Sequence, residues 1–522
     1  MKKLKKIITL VTATTLACSA FASCGGGGNG GGKSLKINVL DLGYGYAWVE
    51  ELAVAFEEKT GISATVNPVY DAESEVSLVQ GGSSSADILF LCQDTSMIAE
   101  EGSFADLTEI FYNKRPYGVE SGKTIKELAP YAKALNVAGE NKYYAVSYAA
   151  TKTSMLYNAD TLDTVFGAGT WTLPVTTNEW ITMMDQINAY DAADAVPLIS
   201  AGNYMEYPTT TWWAQYDGVD KFFDYWRGYE NGQFCAADPT FAKTEGRLEA
   251  LKVLETVFKS SNGYTHEKIE DFFSSGEMFK NAQKIFVGEY AQDDSIVAFY
   301  PCGDWFENEM GSLFEGHNVK MMRLPVISSI VNAFTDAEDK QMTDNTLAAI
   351  VRKIDEGVVY SEAEYNCAES TYDILFEARN IVCTNGELQQ CVIPATSEKQ
   401  EQAAEFLRFM VSEEGQSIYA QEMGGLHMGY GYDPREDENV EVSNFVQSVL
   451  DCYENENTIY VYRDISQVLS FRGGLPAFST NLNKYTNAIC TGSFSAQGVY
   501  DDTYNEFALN WAKYKADAGI TD

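Results

Sequence analysis

Between Leu35 and Leu91 the chain switches repeatedly between two hydrophobic periods, and this alternation restricts its fold more than any other feature. Leu35-Lys-Ile-Asn-Val-Leu40 alternates with the period of two that marks a strand. Asp41 to Trp48 is a loop punctuated by Gly43 and Gly45. Val49 to Lys59 then places Leu52, Val54, Ala55 and Phe56 at helical spacing. Ile62 to Val66 reads as a second strand, Glu73 to Val79 as an exposed helix, and Asp87-Ile-Leu-Phe-Leu91 as a third strand. Repeated strand–helix units of this kind predict an α/β chain with a largely parallel sheet.

Further along, Lys142 to Asn158 is a β-like ribbon with little helix character. A helix holding Trp180 follows Pro174, and Ala201 to Tyr216 is the densest aromatic cluster, with Asn203, Tyr204, Tyr207, Trp212, Trp213 and Tyr216. Ile296 to Tyr300 is a short apolar run suited to a buried strand, which Pro301 and Gly303 should break. Asp304 and Trp305 follow at its carboxyl end, where open α/β sheets bind ligands. A carboxylate beside an indole suits a sugar: the acid accepts hydroxyl protons and the ring packs on the apolar C–H face. The alternative is that Trp305 fills core and Asp304 caps the next helix. Residues 326–390 are acidic, helical at Thr346–Ile354 and Tyr372–Ala378, and read as an insertion. Strong helices follow at Lys399–Met410 and about Asp502–Ala516, with a solvated acidic loop at Asp433–Glu441.

Composition narrows the function. Against 37 Lys and Arg stand 75 Asp and Glu, a net charge of −38, which argues against nucleic acid and against docking on anionic lipid. Aromatics make up 13% of the chain, which favours a surface or cleft that stacks on something. None of the ten cysteines forms a C-x-x-C pair, so a zinc site is unsupported, and buried free thiols are expected. The three histidines, at 266, 317 and 427, fit no H-E-x-x-H or triad-like setting, and there is no G-x-S-x-G or P-loop. With so many acids, carboxylate pairs arise by chance and do not by themselves indicate a glycoside hydrolase. Met1 to Ser23 has a basic start and an apolar middle from Ile7 to Ala17 too short to span a bilayer, as in a secretory signal. Phe21-Ala-Ser-Cys24 resembles a bacterial lipobox, which implies lipid modification of Cys24. Gly25 to Gly32 would then be a tether reaching roughly 15 Å.

Several segments, in order, resemble the family 1 extracellular solute-binding proteins of bacterial ABC importers, the class that includes maltose-binding protein. They are Phe56-Glu-Glu-Lys-Thr-Gly61, Ala86-Asp-Ile-Leu-Phe90, Tyr144-Ala-Val-Ser147 with Leu156-Tyr-Asn158, Gly303 to Met310, and Ala403 to Met410 with Ser412-Glu-Glu-Gly415. The resemblance implies a two-lobed, periplasmic-binding-protein-like (type II) α/β fold with a ligand cleft between hinged lobes. It places crossings near Tyr144–Asn158, near Cys391-Val-Ile-Pro394 and after Gly424-Gly425. The lobes would be 34–150 plus 391–430 and 151–325 plus 431–522, with 326–390 inserted.

By the same resemblance Trp305 is a sugar-stacking tryptophan and Asp94 a cleft aspartate, while Tyr44 and Tyr46 occupy a ligand-contacting loop. Asp304 joins them, and Asn203, Trp212 and Trp213 enter on aromatic density alone. The Tyr44–Tyr46 loop offers aromatics rather than the charged pair of the maltose binder, so the ligand should differ; Thr151 in place of a family glutamate and the missing stacking tryptophan near Phe478-Ser479 are further departures. The expectation is a monomeric, lipid-anchored, non-enzymatic protein on the outer face of the cell membrane. It would need no cofactor, bind a carbohydrate, expected to be an oligosaccharide, and deliver it to permease subunits by hinge closure. Competing readings are a peptide, polyol or phosphorylated ligand, a secreted glycan-active enzyme, and an adhesion or sensor protein. Few basic residues lie near the expected cleft, Lys152 being the exception.

Overall fold

A computed structural model describes residues 34–93, 102–133, 135–136, 141–201, 204–273, 279–464, 466–471 and 478–520. Ser34 to Asp522 packs as one unit. Residues 1–33, with the expected signal segment, Cys24 and glycine tether, lie outside the described residues. Among those described, no helix is long and apolar enough to cross a membrane.

Two sheets organise two lobes. The first contains β1 (Ser34–Leu40), β2 (Ser63–Val69), β3 (Ile88–Cys92), β4 (Ala145–Ser147) and β12 (Gln389–Val392), in the order β2-β1-β3-β12-β4. β1 runs parallel to β2 and β3, as the strand–helix units predict. β12 is antiparallel to both β3 and β4, so the sheet is mixed rather than largely parallel. The helix Ala47–Thr60 buries one stripe, Trp48, Val49, Leu52, Ala53 and Phe56, and ends at Gly61, whose φ of 69° is the left-handed cap glycine adopts readily. Phe56 meets Phe406 and Phe409 of the helix Gln400–Met410, with ring centroids 5.2 and 5.7 Å away. A fully buried Phe contributes about 1.5–3 kcal/mol, so these contacts tie the late helix to the first lobe.

The second sheet has the order β13-β11-β5-β9-β6, with β10 also pairing β5. Its strands are β5 (Thr153–Asn158), β6 (Ala195–Leu198), β9 (Ile296–Gly303), β10 (Val319–Met322), β11 (Ile381–Cys383) and β13 (Ile459–Val461); β7 (Tyr229–Glu230) and β8 (Gln233–Phe234) form a separate hairpin. β9 does not break at Pro301. It pairs antiparallel with β5 as far as Gly303, whereas β6 pairs only up to Phe299. Pro301, without an N–H, therefore sits where one flank of the strand has no ladder to feed.

Residues 326–390, expected to be a helical insertion, run into the second sheet through β11. Their helices Asp344–Asp355 and Glu369–Asn380 pack together and lead directly into β11, a strand inside the second sheet. The chain crosses between sheets at 148–152 and 384–388. The second crossing thus precedes Cys391, which already lies in β12 of the first sheet. A third crossing, 423–443, joins the helix Glu413–Glu422 to the helix Asn444–Tyr453, which packs on β10.

Candidate ligand-binding site

The site grows from two strand ends that face each other across the lobes. After β1 the loop Asp41–Tyr46 turns at Gly43 and Gly45, both with φ near +60° (57° and 63°), conformations a β-carbon would strain. The turn delivers Tyr44 to the carboxyl end of β9. There its hydroxyl donates to Asp304 Oδ1 at 2.7 Å and lies 2.7 Å from Thr151 Oγ1. Asp304 Oδ2 accepts the backbone N–H of Lys152 at 3.0 Å, and the Asp304 N–H donates to the Lys152 carbonyl at 3.0 Å. Asn308 adds a bond from its amide to the Gly43 carbonyl, 2.5 Å. Asp304 is 3% exposed, and this burial pushes its carboxyl up to about 6 although Lys152 and Tyr44 pull it down. It caps no helix: the following turn begins at Trp305 with no side-chain cap.

Trp305 folds back over its own strand end. A β-carbon at Gly303 would overlap the indole, so only glycine permits this placement, and Gly43 of the opposite lobe lies against the same ring. Tyr44, Tyr204 and Tyr207 surround it, their ring centroids 6.2, 6.3 and 6.2 Å away. The indole is 6% exposed. Glu309 lies beside it; burial raises its carboxyl, offset by the Gln283 amide, Lys280 and the Trp305 N–H.

The other sequence candidates separate. Tyr46 is half-buried and lines the interlobe cavity. Asp94 and Asn203 lie outside the described residues. Trp212 and Trp213 do not reach the site: both are 0% exposed inside the helix Glu206–Asp217. Trp212 donates to the Pro325 carbonyl and faces Trp180, while Trp213 donates to Asp217 and packs on Phe222. Their density reflects a helix buried on all sides, not a binding face.

A cavity of about 380 Å³ opens beside this junction. Tyr44, Tyr46 and Trp48 line it from the first lobe and Lys280, Asn308 and Glu309 from the second; Asp41, Glu422 and Met423 complete it. Beneath it the hinge holds a buried charge group that composition did not reveal. Lys152 Nζ lies 2.9 Å from Glu454 Oε2 and 3.0 Å from His427 Nε2, and His427 Nε2 is 2.9 Å from Glu454 Oε2. Burial opposes the Lys152 charge, but Tyr460, Glu454 and Asp304 outweigh it and hold the ammonium more firmly protonated than usual. Burial and the Lys152 charge push His427 below its ordinary range. Burial would raise Glu454, yet Lys152 and His427 hold it well below the usual carboxylate range. Among the described residues no three His, Cys, Asp or Glu side chains come together to hold a metal. The eight cysteines from Cys92 to Cys490 are free thiols.

No curated protein matches the chain by sequence. Among solved structures it is similar to the solute-binding protein RafE in complex with raffinose. That likeness has 15% identity and a TM-score of 0.55, covers 91% of this chain and 99% of that one, and establishes a shared fold. The sequence pattern of the bacterial extracellular solute-binding proteins matches residues 51–429, well over half of the 522. That span runs from within the first helix, through all strands but β1 and β13, into the third crossing, and the chain therefore belongs to the bacterial extracellular solute-binding protein family.

Proposed function

We propose that this protein is the lipid-anchored capture component of an ABC importer, and that it binds a carbohydrate and hands it to permease subunits by opening and closing its lobes. One observation carries the reading. Tyr44 of one lobe and Asp304–Trp305 of the other meet at the carboxyl ends of β1 and β9, beside a cavity lined by aromatic and polar groups. Carboxylate and tyrosine hydroxyl suit sugar hydroxyls, and indole and phenol faces suit the C–H face of a pyranose. A ligand that touches both lobes stabilises the closed state, the usual logic of hinge closure. The raffinose held by the structurally similar RafE supports the ligand class. Cys24 and the glycine run after it support the anchor, with the protein acting as a monomer at the outer face of the membrane. Binding, and no covalent step, is the work proposed.

A thermal-shift screen of the chain against mono- and oligosaccharides, peptides and polyols tests this. A ligand at 100 times its Kd adds about 2.7 kcal/mol of stability, which appears as a raised Tm. A shift with sugars that is lost in Trp305→Ala is the expected result. A shift with peptides alone would replace the ligand class, and release of cleaved product would replace the binding reading.

A further inference from the structure

Asp304 and Trp305, the groups proposed to hold the sugar, are both engaged, and part of what engages them comes from the other lobe. Asp304 Oδ1 accepts from the Tyr44 hydroxyl at 2.7 Å and Oδ2 from the Lys152 N–H at 3.0 Å, and the residue is 3% exposed. A sugar hydroxyl that is to bond Oδ1 must take the place of the phenol. Trp305 is 6% exposed. A β-carbon on Gly303 would overlap its six-membered ring, and one on Gly43 would stand 3.7 Å from Cγ and Cδ1 of its five-membered ring. Gly303, Tyr204 and Tyr207 belong to the lobe that carries the indole, whereas Gly43 and Tyr44 belong to the first. Parting of the lobes would withdraw only the second pair and bare the side of the indole that it covers.

Tyr44 offers Asp304 what a sugar would offer. Its O–H donates to the carboxylate, its oxygen lies 2.7 Å from the Thr151 hydroxyl, and its ring meets the indole at 6.2 Å with an interplanar angle of 63°. A hydroxyl on an apolar body is also the pattern of a pyranose. Gly43 and Gly45 flank this tyrosine, and the Asn308 amide of the second lobe steadies the turn by donating to the Gly43 carbonyl at 2.5 Å.

Resting on the carbohydrate reading, we infer that the Asp41–Tyr46 loop is an autoinhibitory stopper: Tyr44 stands in for the sugar on Asp304 and screens Trp305, so a ligand binds only after the lobes part and Tyr44 leaves. The apparent Kd is then the intrinsic one divided by the fraction of molecules without the stopper in place. Titration calorimetry of the full chain against glucose, sucrose, maltose and raffinose tests this. Acrylamide quenching of Trp305 in the sugar-free protein, read as the difference from Trp305→Phe, tests it without a ligand. Tyr44→Phe removes the competing hydroxyl and should bind the responding sugars about fivefold tighter. Asn308→Ala loosens the turn without altering Asp304 or Trp305 and should tighten binding about twofold. Both changes should raise the quenching of Trp305 before sugar is added. Unchanged or weaker binding in Tyr44→Phe would overturn the stopper while the carbohydrate reading stands. If no sugar gives heat, the carbohydrate reading falls and quenching decides. Trp305 as open to acrylamide in the parent as in Tyr44→Phe then overturns the stopper too, and a rise in Tyr44→Phe keeps it for another ligand class.

Discussion

The Tyr44 hydroxyl of the first lobe donates to Asp304 Oδ1 of the second at 2.7 Å, and both groups are buried. One phenol thus closes the contact between a loop after β1 and the end of β9. Tyr44→Phe removes this donor and leaves a buried carboxylate oxygen short of a partner, at a cost of about 1–3 kcal/mol. Its Tm should fall by about 1–3 °C, and small-angle scattering of the sugar-free protein should show a larger radius of gyration as the lobes part. Thr151→Val leaves the Tyr44–Asp304 bond in place and should cost about 0.5–1.5 kcal/mol, with the radius unchanged. An unaltered radius in Tyr44→Phe would mean that this bond does not hold the lobes together.

Asp304 makes that contact sensitive to pH. Its carboxyl is held at about 6 against an ordinary 3.8, with burial as the main cause. A group raised in this way stabilises the folded form while it is protonated. The contribution is complete below about pH 4 and is lost as pH rises through about 6. The difference corresponds to something on the order of 3 kcal/mol. Asp304→Asn keeps an acceptor for the Lys152 N–H and a donor towards Tyr44 but cannot ionise. Urea unfolding at pH 4, 5, 6 and 7 should show the variant flatter with pH than the parent. Parallel curves would remove Asp304 as the titrating group.

Much of this arrangement was legible in the sequence because it is local. The apolar period of Ala47–Thr60, the strand at 88–92 and the carboxyl-end position of Asp304–Trp305 follow from neighbours within a dozen residues. Tyr204 and Tyr207 stood in the same aromatic cluster as Trp212 and Trp213, but only the two tyrosines reach the Trp305 indole. The helix Glu206–Asp217 carries Glu206, three threonines, Gln215 and Asp217, so its sequence does not announce a core helix, yet Trp212 and Trp213 are wholly buried in it; aromatic density alone does not tell a binding face from core. The strand Ile381–Cys383 was not legible, because β11 is three residues long and gains meaning only from its partners β5 and β13. Lys152 and His427 stand 275 positions apart, and no local pattern joins them.

Gly303 offers a steric test of the tryptophan. The indole of Trp305 occupies the space a β-carbon at 303 would need. Gly303→Ala should therefore drive the ring out of its nest between Gly43, Tyr204 and Tyr207. Overpacking of this kind costs about 1–3 kcal/mol. Tryptophan emission should shift to the red as the indole enters water, and that shift should vanish in Gly303→Ala with Trp305→Phe if the smaller ring fits. An emission spectrum identical to the parent would show that the strand end, not the indole, yields.

The hinge cluster supplies the last test. Lys152 lies in the first crossing, His427 in the third and Glu454 just after the helix Asn444–Tyr453, so one ammonium ties together segments that the proposed lobe opening would move relative to each other. Lys152→Met deletes the charge but keeps the length. Breaking a fully buried pair costs about 3–5 kcal/mol; with Glu454 about one-quarter exposed (27%), water can take up part of the loss, so about 2–3 kcal/mol is expected. His427 reports the cause separately. It is held down by burial and by the Lys152 charge, so without that charge its pKa should climb while Glu454 still attracts the proton. The sign for Glu454 is opposite to that for Asp304. Its depressed carboxyl contributes stability above the ordinary carboxylate range and loses it as pH falls, and Lys152→Met should shrink that acid loss. Pairing Lys152→Met with Glu454→Gln removes both ions of that pair, and the double variant should be more stable than Lys152→Met alone. If it is less stable by the sum of the two single effects, the three groups act independently and the cluster does not bind the crossings into one unit.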